Sequence, residues 1–351
     1  MTSADAIGFG ALALQPGGGG VSTYARELMK ALSPGLPTTG TVSALIQESA
    51  VGELPDGVRP VPVPDSHGVR RALRGKYPAG SVDLFHGLDV DLPAFGPGMT
   101  VTTVHDLSVF DVPWAFPKVR AFGEQLLVRD ALRRADIVVA VSSFTAERVW
   151  DISGRDSVVT PLAAGSWARQ PDRAEVDAIR VKYQLPSEFV LQVGTVEPRK
   201  RPDLVAAAAQ ELGIACVLAG GGSTGPSAPA SAIGLGFVPA ADLPALYGAA
   251  TVVAYASVYE GFGLPPVEAM ACGAAVVASN VGAMLEVVDD GAVLVNTNQL
   301  SDWIDALRPL VKDADARLEL QTRGLIAATK LSWHRTAELT KAAYRMAGAC
   351  L

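Results

Sequence analysis

Two doubly wound α/β domains are predicted, each a parallel sheet covered by helices on both faces. Three observations carry this. The chain has 351 residues, room for about two domains. Apolar strand-like runs alternate with amphipathic stretches from end to end, and continuously apolar strands belong in parallel sheets buried on both faces. A polar stretch near 164–186, holding Gln170-Pro171-Asp172-Arg173, breaks the series in two.

Taken in order, the first half carries strands at 6–14, 42–46, 82–85, 101–104 and 137–141, with helices at 22–32 and 119–133. The second half carries strands at 189–193, 215–218, 252–256, 275–278 and 292–295, with helices at 202–211, 266–272 and 300–311. Leu331-Ser332-Trp333-His334 opens a last amphipathic helix. The boundaries that follow are 1–163 for the first domain, 164–188 for a linker, 189–330 for the second domain and 331–351 for the closing helix. The segment 220–229, rich in Gly, Ser and Pro, reads as a loop.

Composition narrows the function. A net charge of −7 gives no broad cationic surface for nucleic acid. The three cysteines, Cys216, Cys272 and Cys350, are far apart and form neither a disulfide framework nor a zinc pattern. Cys216 and Cys272 stand in apolar runs and are expected in the core. No basic segment followed by an apolar core opens the chain, and no stretch of about 18 apolar residues occurs. A reducing cytoplasm is the simplest location.

The most informative stretch is Tyr259-Glu260-Gly261-Phe262-Gly263-Leu264-Pro265-Pro266-Val267-Glu268-Ala269-Met270. The apolar run 251–256 reads as a buried strand feeding this loop. Proline is tolerated in a helix's first turn, so Pro265 and Pro266 mark a helix start. A strand–loop–helix unit offers free backbone N–H groups and a positive dipole end to an anion. Glycines let the backbone come close to a ligand. Two carboxylates beside an anion site suit a ligand that carries both phosphate and hydroxyls, as a nucleotide sugar does. The bland reading of the same residues is an ordinary βα turn whose glutamates face solvent.

This segment resembles the E-x7-E motif of retaining glycosyltransferases, specifically glycosyltransferase family 4, and Ala271-Cys272-Gly273-Ala274-Ala275-Val276-Val277-Ala278-Ser279 fits that family's continuation. Val193-Gly194-Thr195-Val196-Glu197-Pro198-Arg199-Lys200 resembles its G-T-x-E-P-R-K block, whose basic pair binds the nucleotide diphosphate. Many relatives place Arg directly after the glycine. Thr195 stands there instead, which leaves the role of Arg199 open and makes Lys200 the firmer match. Thr103-Val104-His105-Asp106-Leu107 resembles the H-D-L block that sets His at the donor sugar; a lone His at a strand end is otherwise structural. His86, at another strand end, is a candidate for the acceptor side or for a structural part.

Two glycine-rich stretches also bear on the site. Gly17-Gly18-Gly19-Gly20 lies between a strand and a helix, but Ser22 occupies the sixth position of a G-x-G-x-x-G fingerprint. Under the resemblance, Gly19 and Gly20 lie near the donor diphosphate; the other reading is a turn without a ligand. The spelling G-x-G-x-x-G at 220–225 is followed by Pro226-Ser227-Ala228-Pro229 rather than a helix, so a dinucleotide site is not expected.

The resemblance covers nearly the whole chain. It implies a GT-B architecture of two Rossmann-like domains facing a cleft, with the C-terminal helix crossing back to the N-terminal domain. It implies an acceptor on the first domain, a nucleotide-diphospho-sugar on the second, and retention of anomeric configuration. Lys200, with Arg199 and helix-terminal N–H groups, would stabilise the leaving diphosphate, so neither a metal nor a cofactor is expected. Glu260, with backbone N–H groups of Gly261, Phe262, Gly263 and Leu264, would hold the donor sugar. Glu268 would hold the ribose, and His105 would orient the sugar. GDP-mannose is the donor expected first, with dTDP- and UDP-sugars open, and the acceptor is a glycan, a glycolipid or a small molecule. The competing functions are a GT-B sugar-nucleotide epimerase, which needs no acceptor, and a non-catalytic nucleotide-sugar-binding subunit, which turns nothing over. Finally, Arg70, Arg71, Arg74 and Lys76 cluster around Leu73 and Tyr77. Four cations near anionic lipid contribute about 1 kcal/mol each, which raises peripheral membrane contact against a solvated loop or a patch for a soluble anionic acceptor.

Overall fold

The computed structural model describes residues 6–35, 41–76, 82–96 and 98–349. The chain divides into two compact units. The first comprises residues 1–162 and 332–351, the second residues 163–331.

Unit 1 is built on β1 (Ala6–Gly10), β2 (Thr41–Gln47), β3 (Arg59–Val63), β4 (Leu84–Gly87), β5 (Met99–Val104), β6 (Ile137–Ala140) and β7 (Val158–Val159). They form one sheet in the order β3-β2-β1-β4-β5-β6-β7, parallel throughout. Its helices include α1 (Gly20–Leu32), α2 (Gly68–Arg74), α3 (Ser108–Asp111), α4 (Lys118–Arg134) and α5 (Ser143–Ser153). The Ser142 hydroxyl caps α5 by accepting from the Thr145 amide at 3.0 Å. Phe85, Val104, Leu107, Val128 and Leu132 belong to one buried cluster between sheet and helices.

Unit 2 opens with α6 (Arg173–Lys182) and continues through β8 (Phe189–Val193), α7 (Pro202–Glu211), β9 (Ala215–Ala219), β10 (Ala232–Gly234), α8 (Leu243–Ala249) and β11 (Val252–Tyr255). It ends with α9 (Leu264–Ala271), β12 (Val276–Ser279), α10 (Met284–Val288), β13 (Val293–Val295), α11 (Leu300–Lys312) and α12 (Ala314–Thr329). The sheet order is β10-β9-β8-β11-β12-β13, again all parallel. Trp303, Leu307, Val190, Val205 and Val277 share its core. Cys216 and Cys272 are buried free thiols; Cys350 lies outside the described residues.

The last helix, α13 (Trp333–Met346), is part of unit 1. Ser332 caps it by accepting from the Arg335 amide. The Thr336 hydroxyl donates to the Pro161 carbonyl at 2.6 Å, and the helix packs along α1 and against β6 and β7. The expected return of this helix to the N-terminal unit is what the fold shows.

The differences from expectation have physical causes. The stretch 164–188 is no free linker: it lies in unit 2, where Asp172 and Glu175 close a capping box at the start of α6. The first strand stops at Gly10 rather than 14, because Leu12 and Leu14 are buried as loop residues under the core. The strands left unread, β3, β7 and β10, all lie at sheet edges. β3 contains Pro60 and Pro62, which an edge tolerates and a central strand does not.

Candidate active site

In a doubly wound sheet, ligands bind beyond the carboxyl ends of the strands where the strand order reverses. In unit 2 that point lies between β8 and β11. The loops leaving these strands carry the E-P-R-K and E-x7-E residues, so the topology brings the two motifs together. They are also bonded to each other. The Val258 amide donates to the Arg199 carbonyl at 2.8 Å, and Arg199 Nη1 donates to the Tyr259 carbonyl at 3.2 Å.

Glu260 is held from several sides. Its Oε1 accepts from Ser257 Oγ at 2.7 Å and lies 3.7 Å from Arg199 Nη1. Its carbonyl accepts from the Ala283 amide at 3.1 Å. A Cβ added at Gly282 would sit 2.1 Å from that carbonyl oxygen, so the backbone approach needs glycine there. Gly263 caps α9 at φ +92°, where an added Cβ would meet Met284 at 2.8 Å. Phe262 and Leu264 are buried, so what they can offer a ligand is their backbone. Pro265 and Pro266 have no N–H, which leaves the Gly263 and Leu264 amides as the donors of the first turn of α9.

Glu268 lies in α9, is 7% exposed, and has its carboxyl pushed up to about 8 by burial alone. Lys200 ends the short turn after β8. Its Nζ lies 3.0 Å from where a Cβ on Gly194 would be, and Gly194 holds φ +138°. Gln192 fixes this turn by donating from Nε2 to the Lys200 carbonyl at 2.9 Å. Among the described residues no carboxylate pairs with the Lys200 ammonium. The loops at this switch point carry a cation, Lys200, the amides at the start of α9 and the Glu260 carboxylate, with Glu268 buried one turn into α9. This arrangement can bind an anion and several hydroxyls at once.

In unit 1 the reversal lies between β1 and β4. Gly19 caps α1 without a side-chain bond, and the space where its Cβ would point is open. Gly20 begins the helix. Ser22 turns back into the preceding loop, accepting from the Gln15 amide and donating to the Ala13 carbonyl. His105 follows β5 and donates from Nε2 to the Leu88 carbonyl at 2.8 Å. That bond fixes the proton on Nε2 and leaves Nδ1 as the acceptor of the neutral ring. The Tyr24 ring packs edge-on against it at 4.6 Å. Asp106 is structural: it caps the Ser108 amide at 3.0 Å.

Of the two readings of His86, the contacts support the structural one. The side chain is fully buried, with Nδ1 2.7 Å from the Tyr344 hydroxyl and Nε2 2.8 Å from Thr103 Oγ1. Burial first, then the neighbouring His105, lowers its pKa to about 3. Both ring nitrogens are spent and no edge remains for an acceptor; the residue ties α13 to the sheet. Tyr344→Phe should therefore orphan Nδ1 and cost about 1–3 kcal/mol. An unchanged urea midpoint in that variant would show that this bond contributes nothing.

The basic cluster is also altered. Arg71 pairs with Asp89 at 2.8 Å and Asp91 at 3.4 Å, and Lys76 pairs with Asp130. Two of the four cations are thus neutralised within the unit, while Leu73 is exposed; Tyr77 lies outside the described residues. Sequence reasoning missed Ser257, Gln192 and Gly282. The spacing of Ser257 three residues before Glu260 was a usable signal; the other two contacts join residues whose relation appears only in the fold.

Residues 175–325 match the family described as glycosyl transferases group 1. The O-antigen chain mannosyltransferase B of Escherichia coli is 32% identical over 283 residues, which covers 75% of this chain and 74% of that protein. The chain belongs to the group 1 glycosyltransferases. A second relative, the serotype-specific mannosyltransferase WbdA of Escherichia coli, is 30% identical over 278 residues; the match covers 71% of this chain but 34% of that much longer protein. Among solved structures, sucrose-phosphate synthase from Thermosynechococcus elongatus superposes with a TM-score of 0.79 at 20% identity, covering 97% of this chain and 98% of the other. That likeness speaks for the fold. This glycosyltransferase has the GT-B architecture of two Rossmann-like units.

Proposed function

We propose that this glycosyltransferase moves a hexosyl unit, mannose first, from a nucleotide-diphospho-sugar to a glycan, glycolipid or small-molecule acceptor, with retention and without a metal. The observation that supports this reading is the bonding of the E-P-R-K loop to the E-x7-E loop at the switch point of unit 2, through Arg199, Val258 and Tyr259. Mannose is supported by the two relatives named as mannosyltransferases, and GDP by the E-P-R-K resemblance.

The chemical problem is charge. As the glycosidic bond breaks, the sugar carbon becomes oxocarbenium-like and the departing diphosphate gains negative charge. Lys200, with no competing carboxylate among the described residues, meets that charge together with the amides at the start of α9. Glu260 accepts from the donor-sugar hydroxyls and Glu268 from the ribose. His105 is assigned, on its H-D-L block, to orient the sugar. In same-face attack the leaving phosphate takes the acceptor's proton, so no protein nucleophile is required.

The test is a calorimetric panel of nucleotide sugars, followed by acceptor screening with the anomeric configuration read by NMR. An inverted product would reject retention, and an epimerised donor formed without acceptor would reject transfer. Because Lys200 and backbone dipoles neutralise the leaving group, activity should survive EDTA. Complete loss restored by a divalent ion would remove the metal-free mechanism.

Peripheral membrane contact through the 70–76 segment has less support, because Arg71 and Lys76 are already paired. None of the helices among the described residues is long and apolar enough to cross a membrane. Salt-dependent co-sedimentation with anionic vesicles tests the contact directly.

A further inference from the structure

We propose that Arg199 is a positioning residue that sets Glu260, and not a ligand of the donor diphosphate; the proposal rests on reading Glu260 as the contact to the donor-sugar hydroxyls.

Arg199 follows β8 and Glu260 follows β11, so the two belong to different loops of the switch point. Arg199 crosses between them twice. Its carbonyl takes the Val258 amide at 2.8 Å. Its Nη1 donates to the Tyr259 carbonyl at 3.2 Å and lies 3.7 Å from Glu260 Oε1. Its Nε donates to Glu197 Oε2 at 3.0 Å. The guanidinium is 14% exposed and lies between two carboxylates. A diphosphate arriving there would have to displace Glu197 and would meet a local charge that is already neutralised. The adjoining Lys200 has no such partner among the described residues.

The planar fork of arginine suits this task. Ser257 and Arg199 both address Glu260 Oε1, which fixes the carboxylate and leaves Oε2 as the oxygen to accept from a ligand hydroxyl. Thr195 carries no charge, which leaves Lys200 as the cation of this turn for the phosphate.

The test measures two ligand classes on the full chain. Free GDP, UDP and dTDP report the diphosphate site; GDP-mannose, UDP-glucose and dTDP-glucose add the sugar. For the nucleotide that binds, Arg199→Gln should leave affinity for the free diphosphate within about threefold while weakening the sugar nucleotide about tenfold and lowering kcat. The double variant Arg199→Gln with Glu260→Gln should be no worse than Glu260→Gln alone, since coupled groups are not additive. Arg199→Lys, which keeps the charge and loses the fork, should recover part of the sugar-nucleotide affinity; it also serves if Arg199→Gln fails to fold. Equal weakening of free diphosphate and sugar nucleotide in the arginine variants would overturn the proposal in favour of a phosphate ligand. Unaltered sugar-nucleotide affinity in Glu260→Gln would instead overturn the underlying reading of Glu260.

Discussion

Lys200→Ala is expected to lower turnover about 100- to 1,000-fold, the range seen when one preorganised donor to developing charge is removed. Donor affinity should fall much less, because the charge on the leaving diphosphate grows in the transition state. Lys200→Arg should retain more activity than alanine, though not all of it: the ammonium sits 3.0 Å from the Cβ position of Gly194, and a guanidinium is wider than a point charge. Gly194→Ala should act on the same group from the other side, since it both strains φ +138° and presses on Nζ. A normal kcat in folded Lys200→Ala would reject the leaving-group role.

Above pH 8, where the Glu268 carboxyl is ionised, Glu268→Gln should weaken nucleotide binding about 10- to 100-fold, the equivalent of roughly 1.5–3 kcal/mol for a hydrogen-bonded charge. A dideoxy nucleotide lacking the ribose hydroxyls should bind wild type and variant alike, and equal loss for both nucleotides would sink the ribose assignment. The same substitution has a stability signature of opposite sign. The folded protein holds this carboxyl's proton up to about pH 8, against an ordinary value of 4.5. The folded state thus binds the proton more tightly than the unfolded chain, so the contribution is full below pH 4.5 and is lost as pH rises toward 8. Wild type should lose unfolding free energy across that window relative to Glu268→Gln, by up to a few kcal/mol at about 1.4 kcal/mol per pH unit, which a falling Tm reads out. Ribose hydroxyls need the carboxylate as acceptor, so nucleotide affinity in wild type should climb with pH toward 8 and stay flat in the variant.

The comparison of Glu260 with Glu268 shows how much of the site was readable. Both stand in one short segment, and the strand before it and the prolines after its loop announced the turn that carries them. That Glu268 is buried while Glu260 is strapped to Arg199 depends on α9 and on a loop some 60 residues earlier, which local pattern does not encode. The same holds for the sheets. Central strands such as β8 and β11 are uniformly apolar because both faces are covered, and they were legible. β3, with its prolines, and the two-residue β7 obey edge rules that mimic loops. For His86 the acceptor side and a structural part stayed equally open in the sequence, because a histidine at a strand end looks the same whether its partner is a ligand or, as here, a tyrosine 258 residues away.

That separation governs how the protein can be made. The sheet of unit 1 is complete once β7 has emerged from the ribosome, yet the helix bearing Tyr344 follows only after all of unit 2. At about 5–20 residues per second, the wait is roughly ten to thirty seconds. During it the His86 ring and the flank of α1 stay uncovered, while unit 2, contiguous in sequence, can finish folding. The unit begun first is thus the one completed last, and a nascent chain halted before α13 would carry an intact second unit beside an unfinished first one.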